Sequence, residues 1–290
     1  MTSNQSGTGR GPAAAPVPAI ELKGVSKRFR TPNGGSYTAL RNMDLQVAEG
    51  EFCAVVGPTG CGKSTTLTLV SGQERASEGS VRVFGREVNG ITPGTGFMFQ
   101  TDAILPWETV LENVSAGPRY RGISKEVAVR DARDWIRRVG LAGFEDNFPH
   151  QLSGGMRKRV ALAQNLINEP RILLMDEPFS ALDVQTRSIM SAELLNLWEQ
   201  TKPAVVFVTH DLEEAIALAD KVVVLTAGPG GEVKATFPID LPRPRTVQEI
   251  RFDPKFIEIY HNIWEALREE VDIAYAQTTA VTAGSQRGAA

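Results

Sequence analysis

Apolar positions recur along this chain at two different periods, and the change of period divides it. Short runs at residues 20–22, 45–47, 52–56, 80–84, 96–99, 172–175, 204–208 and 222–225 have the length and β-branched content of strands. The early runs alternate and are joined by turn sequences such as Ala48-Glu49-Gly50-Glu51, which predicts an antiparallel β part. The later runs are continuously apolar and each is followed by a helical pattern, which predicts parallel strands buried on both faces. The expected fold class is α/β, with a flanking antiparallel sheet.

Between residues 101 and 152 the strands vanish and the helical period takes over. Ser124 stands at an N-cap position, Ala128, Ala132, Trp135, Ile136 and Val139 share one helical face, and Gly140 follows where a C-terminal glycine is favoured. This stretch reads as a helical subdomain inserted into a core spanning residues 19–245. A last helix is expected from Asp253-Pro254, with Asp capping and Pro in the first turn, and with Phe256, Tyr260, Ile263, Trp264 and Leu267 on its apolar face. It is expected to dock on its own domain as a C-terminal helical extension covering 246–276. Residues 1–18 and 277–290 lack periodicity and are rich in small and polar residues, so both read as disordered tails. No repeat the size of the core is present, which implies one unit of this kind.

The composition, 42% hydrophobic and 22% charged in 290 residues, is that of a globular protein. A formal net charge of -3 disfavours nucleic acid as a partner, since neutralising phosphates needs a basic surface. Two cysteines, Cys53 and Cys61, supply neither a disulfide framework nor a metal-ligand set and suit a reducing compartment. The apolar runs fall far short of the ~20 residues needed to span a bilayer, and the first 18 residues lack the apolar core of a secretory signal. The chain is expected to stay in the cytoplasm unless something docks it elsewhere.

Candidate chemistry begins at Gly57-Pro58-Thr59-Gly60-Cys61-Gly62-Lys63-Ser64, which follows a strand and opens a helix. That is the context the Walker A pattern requires. The glycines let consecutive backbone N–H groups face β- and γ-phosphates, and the helix N-terminus adds its partial positive charge. Lys63 would bridge phosphate oxygens, Ser64 would ligand Mg²⁺, and Thr65 would add a contact to the α-phosphate. Cys61, placed at a helix N-terminus, could be a reactive thiol, but the packing reading is preferred and no chemistry is assigned to it. Downstream, Leu173-Leu174-Met175-Asp176-Glu177 ends an apolar strand with two carboxylates that strand alternation points in different directions. Asp176 would hold Mg²⁺, and Glu177 would face and polarise an attacking water.

About twenty residues before that pair lies Leu152-Ser153-Gly154-Gly155-Met156. Together with the upstream phosphate loop, this run resembles the ATP-binding cassette (ABC) ATPases, over about residues 19–245 and with five motifs in the correct order. The resemblance implies a P-loop NTPase (RecA-like) core, ATP and Mg²⁺ as cofactors, and further site residues. His210 in Thr209-His210-Asp211 matches the switch histidine that contacts the γ-phosphate, while Asp211 with Glu214 is also a capping pattern for the next helix. Gln100, at the junction with the helical subdomain, matches the Q-loop glutamine that touches Mg²⁺ or the lytic water. Asp183 in Ser180-Ala181-Leu182-Asp183 belongs to the D-loop. An aromatic ring stacks on adenine in this family, and both Phe29 and Tyr37 are candidates for it.

The resemblance further implies that Lys63 and Ser153 of one chain act on different ATP molecules. Two copies bind head to tail, and Ser153, Gly154 and Gly155 of one complete the γ-phosphate cage of the other. Ile104-Leu105-Pro106-Trp107, Leu241-Pro242-Arg243-Pro244-Arg245 and Ile263-Trp264-Glu265 look like the nitrate, sulfonate and taurine importer ATPases. This implies a peripheral subunit on the cytoplasmic face of the inner membrane. Its partners would be two integral membrane permease subunits, with Trp107 beside their coupling helix, and indirectly a solute-binding protein. A soluble ABC ATPase acting on nucleic acid or ribosomes is the alternative; a small-molecule kinase is disfavoured because it leaves LSGGM and His210 without a task. The triplet Arg157-Lys158-Arg159 is read as the solvated side of its helix, with Lys158 standing where relatives commonly have Gln.

Overall fold

The computed structural model describes residues 17–287. Its strands are β1 (Ile20–Arg30), β2 (Ser36–Val47), β3 (Phe52–Val56), β4 (Glu78–Val83), β5 (Arg86–Glu87), β6 (Thr95–Met98), β7 (Ile172–Asp176), β8 (Ala204–Val208), β9 (Lys221–Leu225) and β10 (Val233–Pro238). Four of them form an antiparallel sheet in the order β2-β1-β4-β5, and six form a second sheet in the order β10-β9-β3-β8-β7-β6. In the second sheet every pairing is parallel except that of the edge strand β10 with β9. The expected α/β core with a flanking antiparallel sheet is what the chain adopts, with β1 and β2 longer than their most apolar stretches.

The continuous apolar runs have a simple cause. In β3, Phe52, Ala54 and Val56 face one core while Cys53 and Val55 face the other, and all five are fully buried. A strand covered on both sides has no solvent face, so every position is apolar. Phe52 packs edge-on against Trp198 at 5.5 Å and also meets Phe207. Burying each such side chain contributes about 1.5–3 kcal/mol.

One core is covered by α1 (Lys63–Ser71) and the antiparallel sheet, the other by the remaining helices. Within the inserted stretch lie α2 (Val110–Tyr120) and α3 (Lys125–Arg138), and α4 (Gly154–Leu166) follows it. Ser124 caps α3 as expected, accepting the N–H of Val127, and the helix ends with Gly140 N–H on Arg137 O and Leu141 N–H on Ile136 O. Thr109 and Glu112 form a reciprocal capping box at α2. Within the triplet on α4, Lys158 is not solvated, being 3% exposed, while the Arg157 side chain remains 37% exposed. The Lys158 ammonium meets Asp102 at 2.8 Å and donates to Gln100 O at 2.9 Å, while Arg159 pairs with Glu193 and donates to Val139 O. Helix period alone does not say that a neighbouring loop covers this face.

The sheet is closed off by α5 (Val184–Thr201), α6 (Leu212–Leu218) and α7 (Pro254–Arg287). Arg245 is buried and donates to carbonyls at the end of α6, including Ala219 O at 2.6 Å. Arg243 binds Asp220 and lies over Trp198. The two arginines of the Pro-Arg-Pro-Arg segment therefore close a helix C-terminus. Helix α7 starts at Pro254 as expected, buries Phe256, Ile263 and Leu267, and packs on α6, β9 and β10. It continues to Arg287, past the expected end near residue 276. Elongating an existing helix adds a hydrogen bond per residue, and the stretch holds no proline, so lack of apolar surface does not end it. The expected N-terminal tail lies outside the described residues up to 16, as do 288–290. No described helix is long and apolar enough to cross a membrane.

Candidate functional site

The candidate residues gather at the C-terminal edge of the parallel strands, where β3 runs into the phosphate loop. Gly62 caps α1 with φ +98°, and a Cβ there would stand 2.4 Å from Leu40 Cδ2, so only glycine fits. Lys63 is 8% exposed, and its ammonium donates to Gly57 O at 2.8 Å and Pro58 O at 2.9 Å. The cation is thus held over its own loop. The Cys61 side chain is fully buried, and burial raises its thiol pKa despite the nearby Lys63, so it takes no part in the cavity.

A cavity of about 410 Å³ is lined by Phe29, Tyr37, Thr59, Gly60, Gly62, Lys63, Ser64, Thr65, Gln100 and Glu177. Phe29 and Tyr37 are direct cross-strand partners on β1 and β2, which sets both rings on one face of the hairpin. Tyr37 donates its hydroxyl to Gly60 O at 3.1 Å, and Lys27 Nζ stands 4.7 Å from the Phe29 ring centre.

The two carboxylates diverge as strand geometry requires. Asp176 Oδ1 accepts the Ser64 hydroxyl at 3.0 Å, and burial pushes the Asp176 carboxyl above its usual range, opposed by that hydrogen bond. Glu177 leaves the strand with φ +43°, a left-handed backbone that costs a non-glycine residue about 1–3 kcal/mol. Three bonds hold it there: its N–H on Val208 O, and its O accepting from Ser180 N–H and Ser180 Oγ. The side chain then reaches His210, with Oε2 3.2 Å from Nδ1. A hydroxyl and a carboxylate this close are hard oxygen donors of the kind Mg²⁺ shares with phosphates and water.

Asp211 does cap α6, accepting Glu214 N–H at 3.2 Å, and it also pairs with Arg187 at 3.0 Å. Glu214 does not return to close a capping box. It is buried between Thr209 and Ser191, and burial holds its pKa at about 7. This buried acid behind the His210 strand had no sequence signal beyond its cap spacing.

Ser153, Gly154, Gly155 and Asp183 are placed elsewhere. Ser153 caps α4, accepting Met156 N–H, and Asp183 caps α5, accepting Thr186 N–H. Neither they nor the glycines line the phosphate-loop cavity. A second cavity of about 680 Å³, sharing Thr59, Lys63 and Glu177 with the first, is also walled by Gly57, Pro58 and His210 together with Trp264, Leu267, Val271 and Tyr275 of α7. That helix forms part of the site's surroundings, which its amphipathic pattern did not disclose. In the loop that follows Gln100 in sequence, the buried Asn113 accepts Leu105 N–H and donates to the carbonyls of Leu105, Glu108 and Thr109. The pinned loop presents Trp107, 71% exposed.

Comparison with known proteins yields one consistent family. A model described as ABC transporter matches residues 40–180. An uncharacterized ABC transporter ATP-binding protein of Methanocaldococcus jannaschii is 46% identical over 252 residues, covering 87% of this chain and 92% of that one. The aliphatic sulfonates import ATP-binding protein SsuB of Bacillus cereus is 40% identical over 238 residues, covering 80% and 92%. Among solved structures, the dimeric post-hydrolysis state of an ATP-binding cassette bound to ADP and Pi aligns with TM-score 0.68 and 31% identity, covering 77% of this chain and all of that one.

Proposed function

This chain belongs to the ABC transporter family, and we propose that it is the ATP-hydrolysing, nucleotide-binding subunit of an importer for a small solute such as nitrate, a sulfonate or taurine. One observation carries the catalytic reading. Lys63, Ser64, Gln100 and Glu177 line one cavity, and directly behind it Asp176 accepts the Ser64 hydroxyl while His210 pairs with Glu177. Ser64 and Asp176 would hold Mg²⁺, which when bound neutralises charge on the phosphates. The N–H groups of the loop and Lys63 bind the β- and γ-phosphates, and Thr65 the α-phosphate. Phe29 or Tyr37 stacks on adenine.

Glu177 orients the attacking water and takes up its proton as the oxygen approaches the γ-phosphate in line. His210, bonded to the same carboxylate, fixes its direction and faces the phosphate. Gln100 reports γ-phosphate occupancy to the helical subdomain through the Lys158 contact to its carbonyl. Ser153, Gly154, Gly155 and Asp183 would act on a second copy's nucleotide, a reading supported by the dimeric state of the similar cassette. Exposed Trp107 would meet a permease subunit, placing the protein on the cytoplasmic face of the inner membrane. The test is phosphate release by purified protein. Glu177→Gln is expected to bind ATP yet nearly lose turnover, and near-normal turnover would refute the assignment.

A further inference from the structure

Helix α7 reaches the phosphate loop through a carboxylate that makes none of the contacts assigned above. Glu270 is only 7% exposed, a rare position for an acidic side chain. Its Oε2 accepts Ala227 N–H at 2.7 Å, and its Oε1 lies 2.9 Å from Lys234 Nζ, which also pairs with Glu269. Ala227 opens the segment 227–231, Ala-Gly-Pro-Gly-Gly, which joins β9 to β10. The segment lies directly against the phosphate loop. A Cβ on Gly228 would stand 2.4 Å from Gly60 O, and one on Gly231 would stand 2.0 Å from Cys61 O. Side chains are excluded because two backbones touch.

The segment is clamped at both ends. At the far end Gly230 N–H donates to Thr38 O at 2.7 Å, Gly231 N–H donates to Ala39 O, and Arg41 N–H donates to Gly231 O. At the near end the clamp is the side chain of Glu270. An unneutralised carboxylate behind an anion site would oppose phosphate, and Lys234, shared with Glu269, offsets part of its charge. Burial raises the Cys61 thiol pKa most, Lys63 opposes that rise, and the Glu270 charge adds to it least.

We infer that Glu270 is a positioning residue for nucleotide, fixing the 227–231 segment that backs Gly60 and Cys61 and so setting the affinity of the phosphate loop for a nucleoside triphosphate. This rests on the phosphate-loop reading above. A helix outside the catalytic core thereby holds the loop in its binding shape, and whatever lifts α7 loosens nucleotide.

The test is titration of the purified full chain with a fluorescent ATP analogue and Mg²⁺, with KM and kcat for ATP and a melting curve measured alongside. A hydrogen bond to a charged acceptor predicts that Glu270→Ala raises Kd and KM about tenfold with kcat within about twofold. Glu270→Gln keeps an acceptor for Ala227 and recovers most of the affinity. A folded Glu270→Ala protein with wild-type Kd overturns the inference. Should that variant fail to fold, Lys234→Met decides, because it frees and unbalances the same carboxylate: Kd rises about threefold or more, or the inference falls. Lys63→Ala separates the two readings. If it also leaves Kd unchanged, the phosphate-loop assignment itself fails; if it alone weakens binding, only the role of Glu270 fails.

Discussion

Replacing Lys158 by Met tests whether the helix carrying Ser153 is tied to the Gln100 loop. The ammonium is enclosed, its side chain 4% exposed, with Asp102 at 2.8 Å and Gln100 O at 2.9 Å. Removing one partner of a buried ion pair costs about 3–5 kcal/mol. Here Asp102 keeps Arg157 Nε at 3.2 Å and its side chain is 20% exposed, so the loss falls at or below the lower limit, about 2–3 kcal/mol. With an unfolding entropy of about 2.1 cal/mol/K per residue, a chain of 290 residues should melt about 4 °C lower. Calorimetry reads this directly. Lys158→Gln, which still donates to Gln100 O, should lose about half as much. In a double-mutant cycle with Asp102→Asn, a coupling of about 1–2 kcal/mol is expected. A Lys158→Met protein melting within 1 °C of wild type, with additive behaviour in the cycle, would refute the tie.

Two further outcomes follow from the site. Burial raises the folded-state pKa of Glu214 to about 7, above its value in the unfolded chain, so the folded protein binds the extra proton. This group's contribution is therefore present below about pH 4.5 and lost as pH rises towards about 7. Glu214→Gln should grow more stable relative to wild type from pH 5 to pH 7.5, on the order of 3 kcal/mol, measured by urea unfolding. A difference independent of pH would contradict it. Lys63→Ala should weaken ATP binding itself, unlike Glu177→Gln, and equal ATP affinity in calorimetric titration would remove Lys63 from the site.

Much of this was legible in the sequence because the relevant signals are local. Phe52 to Val56 announces a doubly covered strand, Gly62-Lys63-Ser64 a helix opening from a glycine loop, and Asp176-Glu177 a strand end whose carboxylates must diverge. What was hidden depends on segments far apart in sequence. Lys158 reads as solvated until the Gln100–Asp102 loop closes over it. Glu270 and Trp264 read as one more amphipathic helix until α7 lies beside Pro58 and Thr59. The Pro-Arg-Pro-Arg segment was visible as a pattern, yet its job at the end of α6 appears only when Arg245 is seen among the carbonyls of residues 216–219.

Ser153, Gly154, Gly155 and Asp183 stay off the walls of the cavity that holds Lys63, so under the proposed function the site is completed by a second copy. Light scattering of purified Glu177→Gln protein with ATP and Mg²⁺ measures this directly. The mass is expected to double when ATP is added and to return to that of the single chain when it is removed; a protein saturated with ATP that remains a single chain would contradict completion by a second copy.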